Sequence, residues 1–384
     1  MDYTGLYMKN ISHYKKNILL ILYSLIIVLS VISRSQLFRE YDVNNLRLIA
    51  IFLMTAYSII FIDHSMFQWI WFILGLFISI TGIVTEQVSI EYLVIIFLMF
   101  SLSEIYPRKF LQYTMFTIGV VLLILMVLTF LKIIPNVKVG ITSVRNSLGT
   151  NYPLIFSGYV FYMSAAFVAL YNKRNIIIPS IFLFIVVLFL DKFTAARNDE
   201  ICILLLIVVL WIKKLNLFIQ KNIVKIGIIA TFIATIGSMF VSVVLPYNTN
   251  LYGYLNQLLT NRLQLQYTLF SYYKPTLFGQ KISETGVLEL GTSRYFYIDN
   301  SYIKLLFMGG ILLLIFLLAT LFFKVYQLYK NQIYIIALVL LILLINGITE
   351  DSLIRPSINL LIPLFFIKIR NYKIEFGRDM YQEE

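Results

Sequence analysis

Apolar residues in this sequence fall into long runs that are separated by short polar segments. Because a membrane-spanning helix needs about 20 mostly apolar residues, the runs predict about twelve transmembrane helices. Their approximate ranges are 17–33, 46–62, 67–84, 89–103, 114–134, 154–171, 175–191, 199–212, 223–245, 301–323, 331–347 and 356–369. The pattern predicts an all-α polytopic membrane protein in which residues 1–384 form a single integral membrane domain.

Two predicted connections are longer than the others, at 135–153 and at 246–300, the latter between helices nine and ten. Within 246–300, apolar residues recur at helical spacing, which predicts an interfacial helix over 252–273. The apolar positions of that helix are Tyr252, Leu255, Leu259, Leu263, Tyr267 and Phe270. A transporter built from inverted repeats would show two similar halves, and the sequence shows no such symmetry.

Composition supports the membrane assignment, since 60% of the residues are hydrophobic, 13% are charged and the mean hydropathy is +0.86. These values lie far outside the range of soluble domains. Cys202 is the only cysteine, which excludes an intramolecular disulfide and a cysteine-cluster metal site. No Asp-x-Asp metal motif is present, which argues against a nucleotide-sugar glycosyltransferase. We expect no metal, no cofactor and no nucleic-acid partner.

Basic residues predict the orientation, because cytoplasmic loops are enriched in Lys and Arg. With both termini cytoplasmic, the segments on that side hold 17 of the 31 basic residues, and 246–300 becomes a large extracytoplasmic loop. Eight of the 14 basic residues on the predicted outer side are arginine, against four of the 17 on the cytoplasmic side. Arginine suits bidentate phosphate recognition, so the outer face is predicted to bind an anion; pairing with outer acids or lipid headgroups is the alternative.

Four short segments on the predicted outer side carry a resemblance to a known family. They are "RNSLGTNYP" (145–153), "TAARNDE" (194–200), "NRLQLQYTLFSYYKPTLFGQ" (261–280) and "DNSYIKLLFMGG" (299–310). In their order along the chain and in topology they resemble the Wzy-type polysaccharide polymerases of bacteria, which are related to the O-antigen ligases. One departure is that the ligases carry histidine where Asp299 stands, which leaves open the identity of the catalytic base.

This resemblance implies an enzyme of the bacterial cytoplasmic (plasma) membrane, a metal-independent glycosyltransferase. Its substrate would be undecaprenyl-diphosphate-linked oligosaccharide repeat units, joined into capsular polysaccharide or exopolysaccharide at the outer face of the membrane. The expected partners are this lipid-linked substrate, the lipid bilayer, and the flippase and chain-length regulator of the same pathway. Two alternatives stay open: ligase-like transfer of polymer to another acceptor, and a non-enzymatic flippase for lipid-linked oligosaccharides.

The proposed chemistry requires two kinds of side chain. A sugar hydroxyl attacks the anomeric carbon while diphosphate leaves, so arginines are needed to stabilise the growing negative charge. Arg145, Arg197 and Arg262 are predicted to converge on the diphosphate. A base is needed for the hydroxyl proton, and since both histidines fall in predicted cytoplasmic segments, we assign the base to Asp299, at the start of helix ten.

Five further residues are predicted to bind substrate: Asn151, Arg294, Asn300, Tyr302 and Arg355. Structural alternatives remain for several of them. Asp299 or Asn300 would also serve as an N-terminal helix cap, and the tyrosines of this region would also suit an interfacial aromatic belt. Arg355 would equally form a local ion pair with neighbouring carboxylates.

Overall fold

The computed structural model describes residues 3–38, 41–139, 144–173, 175–259, 261–285 and 296–377. Helices account for most of this part of the chain. Their bounds are Tyr3–Ser33 (α1), Val43–Phe61 (α2), Met66–Glu86 (α3), Glu91–Ser101 (α4), Pro107–Phe130 (α5), Pro153–Leu170 (α6), Ile177–Phe193 (α7), Arg197–Ile212 (α8), Leu217–Val244 (α9), Asn250–Leu258 (α10), Arg262–Tyr272 (α11), Ser301–Lys304 (α12), Ile311–Lys330 (α13), Tyr334–Thr349 (α14) and Ile369–Phe376 (α15).

Seven of the described helices are long and apolar enough to cross a membrane: α1 from Tyr14 onwards, α2, α3, α5, α6, α9 and α13. Helices α4 and α14 are also apolar but shorter. Most residues of α14 are buried and none is exposed, whereas α3 and α9 leave a broad apolar face exposed. A helix that is apolar and buried on all sides belongs at the centre of a bundle, and an exposed apolar face is what lipid would cover. The protein is therefore an all-α, multi-pass membrane protein with α14 at its centre.

The prediction of a twelfth helix at 356–369 is wrong. Residues 355–368 form turns and one short 3-10 helix, Ile362–Phe365, and most of their side chains are buried. Pro356 and Pro363 each remove a backbone donor, and the side chain of Asn359 accepts a hydrogen bond from Leu361 N at 3.1 Å. Irregular backbone is tolerated at membrane depth when protein surrounds it, so hydropathy detected the burial of this segment but not its conformation.

The two long connections also differ in detail from the prediction. The predicted interfacial helix over 252–273 is two helices, α10 and α11, and Asn261, directly before α11, has a left-handed backbone with φ of 66°. The shorter connection contains two two-residue strands, Lys138–Val139 (β1) and Arg145–Asn146 (β2), which pair antiparallel. As a result, Arg262 begins a helix and Arg145 lies on a strand.

A break at Gly310 interrupts the tenth predicted helix between α12 and α13. Gly310 has φ of 92°, and a methyl group there would lie 2.3 Å from Gly279 N. Glycine is needed at such a position, because it alone adopts this conformation readily and allows so close a backbone approach. Ile311 N donates to Thr276 O at 3.0 Å beside this contact. The glycine therefore docks the long connection onto the start of α13.

Contacts between distant loops gather at one end of the bundle, which we call the loop end. They join Arg34 with Asn151, Arg47 with Glu91, Asn198 with Thr349, and Arg262 with Glu350. The opposite end, called the terminal end, carries the contacts of Asn17 with Lys109, Glu104 with Lys368, and Arg108 with Glu375. The described connections that are predicted to be extracytoplasmic thus lie together at the loop end. The first and last described segments of the chain lie together at the terminal end.

Candidate functional site

Arg262 lies between two carboxyl groups at the loop end. Its Nε is 3.0 Å from Asp299 Oδ2 and its Nη2 is 3.0 Å from Glu350 Oε1, while Nη1 donates to Thr349 O. Three segments supply these groups: the start of α11, the residues before α12, and the residue after α14. The contacts therefore hold the long connection against the central helix and place Asp299 beside a fixed cation.

The two carboxyl groups on Arg262 have altered acidity. Burial raises the pKa of Asp299 to about 6, and Arg262 opposes part of this rise. Burial likewise raises the pKa of Glu350 above its usual range, again against the influence of Arg262. One cation cannot fully compensate two buried carboxylates, so a proton is retained on the pair at a higher pH than ordinary carboxyl groups allow. The group is suited to proton transfer near neutral pH.

Lys304 and Arg355 form a second charged group nearby. Lys304 Nζ lies 2.6 Å from Glu284 Oε2 and 2.8 Å from Asp351 Oδ2, and Arg355 Nε lies 2.7 Å from Asp351 Oδ2. Tyr297 donates to Asp351 at 2.6 Å and accepts from Arg355. Although burial opposes it, the two cations hold the pKa of Asp351 below its usual value. Two cations balance two carboxylates here, and Arg355 forms the local ion pair that was its structural alternative.

Asn300 and Tyr302 occupy structural positions. The side-chain oxygen of Asn300 accepts from the backbone N–H groups of Tyr302 at 2.8 Å and Ile303 at 3.1 Å, which makes Asn300 the N-terminal cap of α12. Tyr302 donates to Leu344 O at 2.6 Å and is 1% exposed. The contacts that the structure shows for both residues are within the protein, and sugar binding by either one stays a prediction. Because Asn300 supplies the cap, Asp299 is left to pair with Arg262.

Arg145 lies at the edge of the site. Its side chain is half-buried on β2, and no carboxylate within the described ranges forms an ion pair with it. Arg145 acts electrostatically on Tyr152, and the same tyrosine is influenced by Asp299 and Arg262. Burial raises the pKa of Tyr152 and Arg145 opposes this rise. Arg262, Asp299 and Glu350 together are called the Arg262 group. Arg145 is therefore a cation near this group, and no described carboxylate compensates the charge of Arg145.

Arg197 does not join the predicted arginine cluster. Its side chain is exposed at the first residue of α8, and the next two residues make the inward contacts. Asn198 accepts from Thr349 Oγ1, and buried Asp199 accepts from Ser157 Oγ at 2.6 Å. This motif thus reaches the Arg262 group through Asn198 and Thr349.

Asn151 and Arg294 complete the predicted set. Asn151 Oδ1 accepts from Gln36 Nε2 at 2.8 Å, and its backbone N–H donates to Arg34 O at 2.8 Å. These bonds tie the shorter connection to the end of α1. Arg294 lies outside the described residues.

A third charged group was not predicted from the sequence. Arg47 is fully buried and donates to Glu91, and Arg34 Nη2 lies 3.9 Å from the same carboxylate. Within the described chain, Arg47 Nε and Nη1 have no hydrogen-bond partner. The signal was available, because an ionisable residue at the edge of a membrane span is expensive to bury and marks a functional or structural site.

Comparisons with known proteins found no relative: no family model matches the chain, and neither a curated protein nor a solved structure matches it.

Proposed function

We propose that this protein is a glycosyltransferase that joins undecaprenyl-diphosphate-linked oligosaccharide repeat units into a capsular polysaccharide or exopolysaccharide. The observation that carries the proposal is the pairing of Asp299 with Arg262 at the loop end, 3.0 Å apart. The pKa of Asp299 is raised to about 6 by burial, so at neutral pH this carboxylate is largely ionised yet more basic than an exposed one. That is the acidity expected of a general base.

In the proposed reaction, Asp299 accepts the proton of an acceptor sugar hydroxyl. The hydroxyl oxygen forms a bond to the anomeric carbon of the donor sugar, and the bond from that carbon to the diphosphate oxygen breaks. Undecaprenyl diphosphate leaves with the bonding electron pair. Because diphosphate is a good leaving group, the main requirement is to stabilise negative charge, and preorganised guanidinium groups do this.

Arg145 is the proposed first contact of the diphosphate. It is half-buried at the edge of the Arg262 group, and its charge has no described carboxylate partner. Arg262 is held by Asp299 and Glu350, so its proposed role is to position Asp299 and to add positive potential. This division of roles revises the predicted clamp of three equivalent arginines.

The proposed location is the bacterial cytoplasmic membrane, with the loop end facing outwards. Lys16, Arg108, Lys109 and Lys368 gather at the terminal end. An excess of basic residues in short loops is retained on the cytoplasmic side. The loop end would then face the outer leaflet, where lipid-linked repeat units are polymerised in this type of pathway.

Two alternatives use similar substrates. Ligase-like transfer of a finished polymer would need the same donor chemistry, and analysis of the product separates it from polymerisation. A flippase would need polar side chains along a path across the bilayer, whereas the charged groups that contain Asp299, Lys304 and Arg47 lie together at the loop end.

Asp299→Asn tests the proposal. Asparagine keeps the size of the side chain and an oxygen that accepts from Arg262, but it removes the basic carboxylate. We expect normal membrane abundance, accumulation of single lipid-linked repeat units measured by mass spectrometry, and a polymerisation rate lower by about 100-fold or more.

Glu86→Gln is the matched control, since Glu86 is an exposed carboxylate at the end of α3 on the loop end. Wild-type chain lengths on a polysaccharide gel are expected for this variant. Wild-type polymer from Asp299→Asn, at matched protein abundance, would remove Asp299 from the chemistry and with it the proposed mechanism.

A further inference from the structure

A groove of about 580 Å³ lies at the terminal end, on the opposite side of the bundle from Asp299. It runs between α3, α13 and the irregular segment 355–368. Its aromatic lining consists of Phe67, Trp71, Phe316, Phe323, Phe365 and Phe366. The volume falls within the range of small-molecule sites in proteins, and the walls suit a hydrocarbon chain.

A buried lysine is among the residues that line this groove. Lys324 is 6% exposed, and its Nζ donates to Gln327 Oε1 at 3.0 Å and to Ile367 O at 2.6 Å. Both acceptors are neutral, and no carboxylate in the described part of the chain lies within ion-pair distance of Lys324. Burying an uncompensated charge is costly, so an anion at this position would be strongly favoured.

A second cation borders the same groove. Lys368 lines it, and its ammonium pairs with Glu104 at 2.9 Å while 40% of the side chain remains exposed. Lys324 and Lys368 thus place two basic side chains at the groove, and a described carboxylate pairs only with Lys368. The ligand that matches this arrangement has a single anionic head and an apolar tail.

We infer that this groove binds a membrane phospholipid with an anionic headgroup. Its phosphate contacts Lys324 and Lys368, and one acyl chain lies against the aromatic wall. Basic pockets between membrane helices bind anionic lipid heads in this way. The site is separate from the Asp299 site and does not depend on the proposed glycosyl transfer.

The test is lipid-dependent thermal stability of the purified protein in detergent. Phosphatidylglycerol is titrated against phosphatidylcholine, and the apparent affinity follows from the shift in melting temperature. Wild type is expected to bind phosphatidylglycerol more tightly than phosphatidylcholine. Lys324→Gln should lower the apparent affinity for phosphatidylglycerol by at least about tenfold, because a buried charge-assisted contact is lost.

Two further variants guard against an indirect effect. Lys330→Gln removes the same charge from an exposed position in the last turn of α13 and should bind phosphatidylglycerol like wild type. Ala319→Trp fills the groove from an exposed position while leaving Lys324 in place, and it should also lose binding. Retained binding in Ala319→Trp, equal affinity for the two lipids, or preference for undecaprenyl phosphate over phosphatidylglycerol would overturn the inference.

Discussion

Lys304 and Lys324 are two equally buried lysines at opposite ends of the bundle, each 6% exposed. Lys304, in α12 at the loop end, lies between the carboxylates of Glu284 and Asp351. Lys324, in α13 near the terminal end, has neutral acceptors and no described carboxylate partner. The same residue type is therefore compensated by the protein at one end and left uncompensated at the other.

The difference indicates two uses of a buried cation. At the loop end, charges from separate segments neutralise one another and join the long connection to α12 and α14. Such a network holds neighbouring groups in fixed positions, which a catalytic site requires. At the terminal end, Lys324 borders an apolar groove, and its free charge suits a ligand brought from the membrane.

The largest expected effect comes from removing each lysine in turn. Lys304→Met leaves Glu284 and Asp351 buried without the cation between them, which should lower the free energy of unfolding by about 3–5 kcal/mol. Lys324→Met removes a buried charge together with two hydrogen bonds, so the effects offset each other and the loss should stay below about 1 kcal/mol. Denaturant unfolding in detergent without anionic lipid measures both values. Equal losses in the free energy of unfolding would show that the protein compensates the charge of both lysines, and the proposed difference between Lys304 and Lys324 would be wrong.

Most of the fold could be predicted from the sequence, because a membrane helix must be both apolar and about as long as the bilayer is thick. Eleven of the twelve predicted runs each overlap a described helix over most of their length. The prediction of a helix at 356–369 was wrong because hydropathy reports burial in apolar surroundings, whether lipid or protein supplies these surroundings. Pro356 and Pro363 were signals against a helix that the hydropathy pattern outweighed.

The candidate site was predicted only in part. The pairing of Arg262 with Asp299 joins two motifs that the sequence singled out. The sequence did not predict that Arg197 is exposed, because successive residues of a helix point about 100° apart and composition alone does not tell which residue of the first turn of α8 faces inwards. Burial shows that Asp199 does so. Lys304 was missed because a lysine in an apolar helix gives no indication of which distant carboxylates will surround it.

A pH profile sharpens a contrast within the loop end, because Asp351 stays ionised further into acid than Asp299, which takes up a proton near pH 6. The pKa of Asp299 is about 6, so its basic form is lost as the pH falls through that value. We expect the initial rate of polymerisation in washed membranes to fall about tenfold per pH unit below pH 6. Because the folded pKa is raised, protonation of Asp299 favours the folded state, so this group does not drive unfolding in acid. A rate unchanged down to pH 4.5 would contradict the assignment of Asp299 as the base.

The smallest effect is expected at Glu350, the other carboxyl group on Arg262. Burial raises the pKa of Glu350 above its usual range, and a protonated Glu350 beside ionised Asp299 would balance the single charge of Arg262. Glu350→Gln mimics that neutral form and keeps an oxygen that accepts from Arg262 Nη2. The polymerisation rate at pH 7 should therefore change by less than about threefold, or under about 0.7 kcal/mol in activation free energy. A loss as large as that of Asp299→Asn, at equal protein abundance, would mean that the charge of Glu350 is required, and Arg262 would then serve two ionised carboxylates.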